Sequence, residues 1–273
     1  MTAYLVTGAT GRVGAHVLSG LAEAGHRVRA LVRDTSALPP GVDAVAGDLS
    51  SPDAVAAALD GVDAVYLMWP GIPVQAAVID LVATRARRVV YLSTDVTDLD
   101  DGETPTSFHQ DIERRIRASP AEWTFVRAID FAANALAWAG QVRTGVVSWP
   151  YAKAARSLVH ERDIAEVAVT ALTTDGHHGG KYVVTGPEAV THERQAAIIG
   201  EAIGRDVRFD EVPPDVDVFA ERWGDRAFAR ARLAAWKSFT TTPERVTGTV
   251  EHVLGRPARD FRSWADDHTG DFA

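Results

Sequence analysis

The chain opens on Tyr4-Leu-Val-Thr-Gly8-Ala-Thr-Gly11-Arg-Val-Gly14, continues in an apolar pattern of helical period, and then reads Val28-Arg-Ala-Leu-Val-Arg33-Asp34. This is a β-branched run, a glycine-rich turn, a helix and a second strand. The order predicts a βαβ unit whose helix N-terminus and backbone N–H groups aim at a dinucleotide pyrophosphate. Gly8 suits a tight turn, Gly11 a close approach of backbone to phosphate, and Gly14 close packing of helix on strand. A turn with no ligand has no need of three glycines, each of which raises the entropy lost on folding.

The second strand ends on Arg33, where a site selective for NAD carries an acidic residue for the ribose 2′-OH. Arg33, together with Arg12 in the turn, suits a 2′-phosphate, because a guanidinium makes forked hydrogen bonds to phosphate oxygens. Asp34, one residue on, is the competing ribose acceptor. The reading favours NADPH over NADH. Asp48, in Gly47-Asp48-Leu49 after the third strand, is placed either to reach the adenine amino group or to cap the helix beginning near Pro52, or both.

The remaining strands read near 63–68, 88–93, 123–128 and 181–184, after those at 3–7, 27–32 and 43–46. Helices read near 12–24, 52–59, 73–83, 107–118, 162–173 and 191–203. The alternation predicts an α/β fold with a doubly wound, mostly parallel sheet covered on both faces. Asp163 stands where an N-cap belongs and reads as structural. From about residue 129 the pattern loosens, and from about 205 it becomes mostly helical. The expected organisation is a dinucleotide-binding domain over 1–155, then 156–273, which completes the sheet over 157–203 and forms a smaller helical lobe over 205–273. Five of the seven tryptophans fall between 138 and 264. With Phe131, Asn134, Trp138, Trp149 and Trp223 they make either a satellite core or a pocket above the carboxyl ends of the strands.

Composition excludes several classes. Formal net charge is −9, so no nucleic-acid surface is expected. No apolar run of about 18 residues exists to span a membrane, and no basic-then-apolar leader precedes the first strand. The absence of cysteine removes disulfides, thiolate nucleophiles and thiolate metal sites. His177-His178 lies in a loop and reads as a solvated turn; no metal is expected. A cytoplasmic protein acting on a small molecule, as monomer or homodimer, is the resulting expectation.

Two segments carry chemistry. Tyr91-Leu-Ser93-Thr94 ends the fifth strand, where a hydroxyl either donates to a substrate carbonyl oxygen as charge develops or bonds nearby backbone. Ser107-Phe-His109-Gln110-Asp-Ile-Glu113 starts a helix through a Ser107–Gln110 capping box. His109 and Glu113 then share a face at i,i+4. The carboxylate is expected to orient the imidazole and bring it near neutrality for proton transfer, unless the pair is merely an exposed ion pair.

With these residues the chain resembles the short-chain dehydrogenase/reductase superfamily and, more narrowly, its atypical NmrA-like branch. The matching pieces are Val6 to Gly14, Leu31 to Asp34, Gly47-Asp48-Leu49, Val90 to Ser93, Trp123 to Arg127 and Val159 to Ala165. The resemblance implies that Gly8, Thr10, Gly11, Arg12, Val13 and Gly14 hold the pyrophosphate. It puts Arg33 on the 2′-phosphate, Asp48 and Leu49 beside the adenine, Met68, Trp69 and Pro70 beside the nicotinamide ribose, and Ser93 beside the nicotinamide.

One departure stands out. The family's acid is a tyrosine followed four residues later by lysine, and none of Tyr4, Tyr66, Tyr91, Tyr151 and Tyr182 has that partner. The expectation is an NADPH-dependent oxidoreductase acting on a ketone or quinone carbonyl of a flat, multi-ring substrate, such as a polyketide in antibiotic biosynthesis. Ser93 and Thr94 would stabilise the oxyanion. The proton would come from His109, from solvent or from the substrate. The alternative is a non-catalytic NADP(H)-sensing regulator. A sugar-nucleotide epimerase is disfavoured, because such enzymes also use the missing pair.

Overall fold

The computed structural model describes residues 2–96, 98–99 and 103–273. In chain order the first elements are β1 (Ala3–Thr7), α1 (Arg12–Glu23), β2 (Arg27–Val32), β3 (Asp43–Ala46), α2 (Pro52–Ala58), β4 (Ala64–Met68), α3 (Ala76–Arg85) and β5 (Arg88–Thr94). Next come α4 (Phe108–Arg117), β6 (Glu122–Ala128), α5 (Ala139–Arg143), β7 (Val146–Trp149), β8 (Ala155–Arg156), α6 (Glu161–Thr173) and β9 (Gly180–Val184). The chain ends with β10 (Val190–Thr191), α7 (His192–Ala202), β11 (Arg208–Glu211), α8 (Val216–Trp223), α9 (Arg226–Ser238), α10 (Thr249–Leu254), α11 (Phe261–Asp267) and α12 (Thr269–Phe272).

The first unit comprises Met1–Ile129, Glu161–Val184 and Thr249–Arg256. Its sheet runs β3-β2-β1-β4-β5-β6-β9, with every pairing parallel. Strand order reverses between β1 and β4, which opens a crevice at the carboxyl ends of those strands. Alternate residues serve opposite faces. Leu5, Leu31, Val65, Leu67, Val89, Tyr91 and Phe125 pack with buried residues of α2, α3 and α4. Val6, Ala30, Tyr66 and Val90, which point the other way, are also fully buried. On this doubly covered sheet the strands read as continuous apolar runs rather than alternating ones, which is why the sequence located them within a residue.

The second unit comprises Asp130–His160, Thr185–Gly248 and Pro257–Ala273. Two short sheets, β7 with β11 and β8 with β10, pack with the helices around a core that includes Trp138, Trp149, Trp236 and Trp264. Strands of two to four residues carry too little period to be read in advance. The expected boundary at residue 155 is therefore corrected. The units interleave, because α6 and β9 belong with the parallel sheet, β9 pairing with β6 as its edge strand. Asp163 is also corrected as an N-cap. The helix begins at Glu161, and Asp163, fully buried, accepts from Arg256 Nη2 at 2.7 Å.

Candidate nucleotide site and aromatic cavity

The turn between β1 and α1 is built by sterics. Gly8 adopts φ +64°, and its carbonyl accepts from Gly11 N at 2.9 Å. A Cβ on Gly14 would stand 2.1 Å from Gly8 O and 2.7 Å from Gly8 C, so helix and turn could not approach this closely with any side chain there. At Gly11 a Cβ would meet only Gly8 O, at 3.2 Å, and otherwise open space. The N-cap of α1 makes no side-chain hydrogen bond, and its first turn holds no acidic residue. The N–H groups at this helix end are thus left for an anion. Thr10 and Arg12 are exposed beside it, whereas Val13 buries its side chain, which confines its contribution to its amide.

Thr7, which sequence reading missed, ties β1 to β4 at the crevice. Its hydroxyl donates to Tyr66 O at 3.2 Å and accepts from Met68 N at 2.8 Å. Met68 lies against Gly8, its terminal methyl where a Gly8 Cβ would go. Trp69 does not present its ring to a ribose. The indole is buried in the sheet core and donates to Ile72 O at 2.8 Å, so only its backbone can border a ligand, beside the exposed Pro70.

At the end of β2 Arg33 is exposed, while Asp34 caps the following short helical turn by accepting from Ser36 N at 2.9 Å and Ser36 Oγ at 2.7 Å. Asp48 is not the cap of α2; Ser51 is, accepting from Ala54 N at 3.3 Å. Asp48 accepts from Ser50 N at 2.8 Å and from the Ser50 hydroxyl. Those bonds, and further the charge of Arg33, lower its carboxyl below the ordinary range. Arg33 and Asp48 thus occupy one neighbourhood, with Leu49 buried beneath.

The chemistry-bearing residues divide differently from expectation. Ser93 is buried, and among the described residues its hydroxyl makes only a 3.5 Å contact to Thr94 O, too long for a strong hydrogen bond. Thr94 spends its hydroxyl on Ala128 O at 3.2 Å. The Ser107–Gln110 capping box is present and α4 starts as read. The His109–Glu113 pair, however, is corrected. Glu113 is buried and takes Arg127 in a fork, Oε1 to Nε at 3.0 Å and Oε2 to Nη2 at 2.5 Å, while Asp98 takes Arg127 Nη2 at 2.6 Å. His109 pairs with the Tyr91 hydroxyl through Nδ1 at 2.7 Å. Burial lowers its pKa to about 4 rather than bringing it near neutrality. The exposed Phe108 ring lies 4.0 Å from the imidazole, centroid to centroid.

In the second unit a cavity of about 280 Å³ is lined by Asp130, Asn134, Trp138, Trp149, Arg156, His192, Arg222, Trp223, Phe228, Arg232 and Trp236, among others. Asn134, Trp138, Trp149 and Trp223 were named from sequence; Phe131 lies outside the wall, packed against the core. One face of α9 carries Phe228, Arg232 and Trp236 at i, i+4 and i+8, a row legible in principle. Asp130 is the electrostatic hub. It accepts from Arg156 Nη2 at 2.7 Å, from Arg232, from Asn134 and from the Phe131 amide at 3.0 Å. Glu244 takes Arg156 in a fork at 3.0 and 3.2 Å.

His192, 3 % exposed, places Nδ1 3.2 Å from Pro150 O, and burial lowers its pKa to about 4. Since the unfolded chain binds that proton near pH 6.5, this stability is present above about 6.5 and lost as pH falls towards about 4. It amounts to on the order of 3 kcal/mol. Urea denaturation across that range should therefore show a steeper pH slope for the natural chain than for His192→Gln. Equal slopes would contradict the assignment.

His177 and His178 lie in the loop before β9. They bond Tyr182 Oη at 2.7 Å and the Trp123 amide at 3.1 Å, closing the edge of the sheet. Among the described residues no helix is long and apolar enough to cross a membrane.

Comparison with known proteins follows from this geometry. The pattern of the NmrA-like family matches residues 2–225. The chain belongs to that family. The NmrA-like chain is also 38 % identical to a (4-alkanoyl-5-oxo-2,5-dihydrofuran-3-yl)methyl phosphate reductase of Streptomyces griseus, over 98 % of this chain and 99 % of the other. It is 34 % identical to an NAD(P)H azoreductase of Xenophilus azovorans, over 98 % of each. Among solved structures, the NADPH complex of a quinone oxidoreductase from Escherichia coli superposes with TM-score 0.76 at 20 % identity, over 97 % of this chain and 99 % of that one.

Proposed function

We propose that this NmrA-like protein is an NADPH-dependent reductase of conjugated carbonyl compounds, quinones or aromatic ketones. The observation that carries the reading is the turn sterically forced at Gly8 and Gly14 and left open at Gly11, beneath an uncapped helix end. Asp34 holds Ser36 through Oδ1 as the cap of the next turn, and Arg33 is exposed near Asp48, which supports the 2′-phosphorylated nucleotide. The named activities of both relatives, each spanning nearly the whole chain, support reductase chemistry. Gly11, Thr10, Arg12 and the amide of Val13 would hold the pyrophosphate, Arg33 the 2′-phosphate, Asp48 and Leu49 the adenine, and Met68, Trp69 and Pro70 the nicotinamide ribose.

Bound NADPH supplies a hydride for the carbonyl carbon. The chain's part is orientation and charge. The Ser93 hydroxyl would donate to the carbonyl oxygen as negative charge develops there. His109 is neutral at ordinary pH and bonded to Tyr91, so it would act as a hydrogen-bonding group rather than as an imidazolium acid. The proton for the product oxygen then comes from solvent or from the acceptor's own hydroxyls, which suits an acceptor whose oxyanion is delocalised. The aromatic cavity would seat the substrate's ring system; a polyketide-type aromatic ketone remains the most concrete candidate.

The test is NADPH consumption, followed by its near-ultraviolet absorbance, with a panel of quinones and aromatic ketones. Turnover is expected, with Ser93→Ala lowering kcat about a hundredfold and Arg33→Asp weakening NADPH binding about tenfold or more. Tight NADPH binding with no oxidation by any acceptor would overturn the enzymatic reading in favour of a nucleotide-responsive binding protein.

A further inference from the structure

The wall of the second unit's cavity carries more positive charge than its own carboxylates take up. Arg156 is fully engaged by Glu244 and Asp130. Arg232 gives one Nη2 contact to Asp130. Its guanidinium lies between 5.6 and 5.9 Å from the ring centres of Trp223, Phe228 and Trp236. Arg222 has no carboxylate or hydrogen-bond partner among the described residues and sits 5.1 Å over the Trp149 ring. Three arginines thus face two carboxylates, in a chain whose formal net charge is −9.

A cation–π contact holds a guanidinium beside a ring without a carboxylate partner. The aromatic rings therefore help fix two cations at the cavity wall. A cavity whose unspent capacity is donor capacity, with a positive excess and aromatic walls, is matched by a flat ring system bearing acceptor oxygens and a negative charge. A neutral hydrocarbon ring system would offer these N–H groups neither an acceptor nor a countercharge.

We infer that the substrate is an aromatic or conjugated compound carrying an anionic group, a phosphate ester or a carboxylate, which Arg222 and Arg232 bind while the tryptophans hold the ring. This deepens the reductase reading by naming the substrate class of the cavity that the reading assigns.

The full chain is titrated without NADPH against naphthyl phosphate, naphthoate and naphthol, read by quenching of tryptophan fluorescence. At low salt the anions are expected to bind about tenfold or more tightly than naphthol, with the difference shrinking as salt is raised. Arg222→Gln, at an exposed position, should abolish the preference without changing naphthol affinity, with circular dichroism verifying its fold. Arg232→Gln should do the same, with circular dichroism verifying its fold. Tighter binding of naphthyl phosphate than naphthoate assigns a phosphate ester, and equal binding assigns any anion of this size. Naphthol binding as well as both anions, no binding of any of the three, or an undiminished preference in Arg222→Gln overturns the inference. NADPH oxidation is measured separately. Quinone reduction with a charge-blind cavity sinks this inference and leaves the reductase standing, whereas anion-selective binding without NADPH oxidation does the reverse.

Discussion

Gly14→Ala is expected to destabilise the chain by about 3 kcal/mol or more and to lose NADPH binding with it, whereas Gly11→Val should keep the fold and lose binding alone. The difference lies in what each new side chain meets. At Gly14 the first added carbon falls 2.1 Å from the Gly8 carbonyl oxygen and 3.2 Å from Ala9 N, all backbone, so the turn or helix must move. For a chain of this size the penalty corresponds to roughly 5 °C in Tm. At Gly11 the only neighbour of a Cβ is Gly8 O at 3.2 Å, and the backbone there, φ −87° and ψ 170°, suits a valine. Its methyls would instead fill the space over the helix end that a pyrophosphate needs. Thermal melts and calorimetric NADPH titration of both variants separate the effects. An unchanged NADPH Kd in Gly11→Val would remove the nucleotide from this turn, and an unchanged melt in Gly14→Ala would contradict the packing.

Asp130→Ala carries the second large effect, an expected loss of about 3–5 kcal/mol. The carboxylate is 7 % exposed and serves Arg156, Arg232, Asn134 and a backbone amide. Removing it leaves Arg156 with Glu244 alone and frees Arg232 from the only carboxylate it touches among the described residues. A desolvated pair is expensive to assemble but far more expensive to leave half made. Asp130→Asn, which keeps the shape but not the charge, should fall between the two. Urea denaturation is the measurement, and a change below about 1 kcal/mol in Asp130→Ala would show that the network relaxes around the gap.

Much of this was legible beforehand for local reasons. The seven strands of the sheet are short apolar runs bounded by turn residues, and the start of α4 is declared by Ser107 and Gln110 within four residues. The glycine turn was legible because each glycine answers a separate local demand. What could not be read were partnerships across the sheet. Glu113 was assigned to His109 four residues away on the same helix; its partner, Arg127, stands on β6, and two guanidinium nitrogens outcompete an imidazole for a buried carboxylate. Trp69 looked like a ligand neighbour because it follows β4, but the core beneath it was the larger apolar surface. The hub at Asp130 joins residues up to 102 positions apart, beyond any periodic signal.

The amino-acid sequence by itself determined the parallel sheet and its glycine turn, because these follow from backbone geometry and side-chain type over a few neighbouring residues. Only the tertiary structure decided which acids neutralise which bases and that His109 stays uncharged. Those outcomes depend on burial and on which distant groups meet at hydrogen-bonding distance, and neither quantity is encoded in local order along the chain.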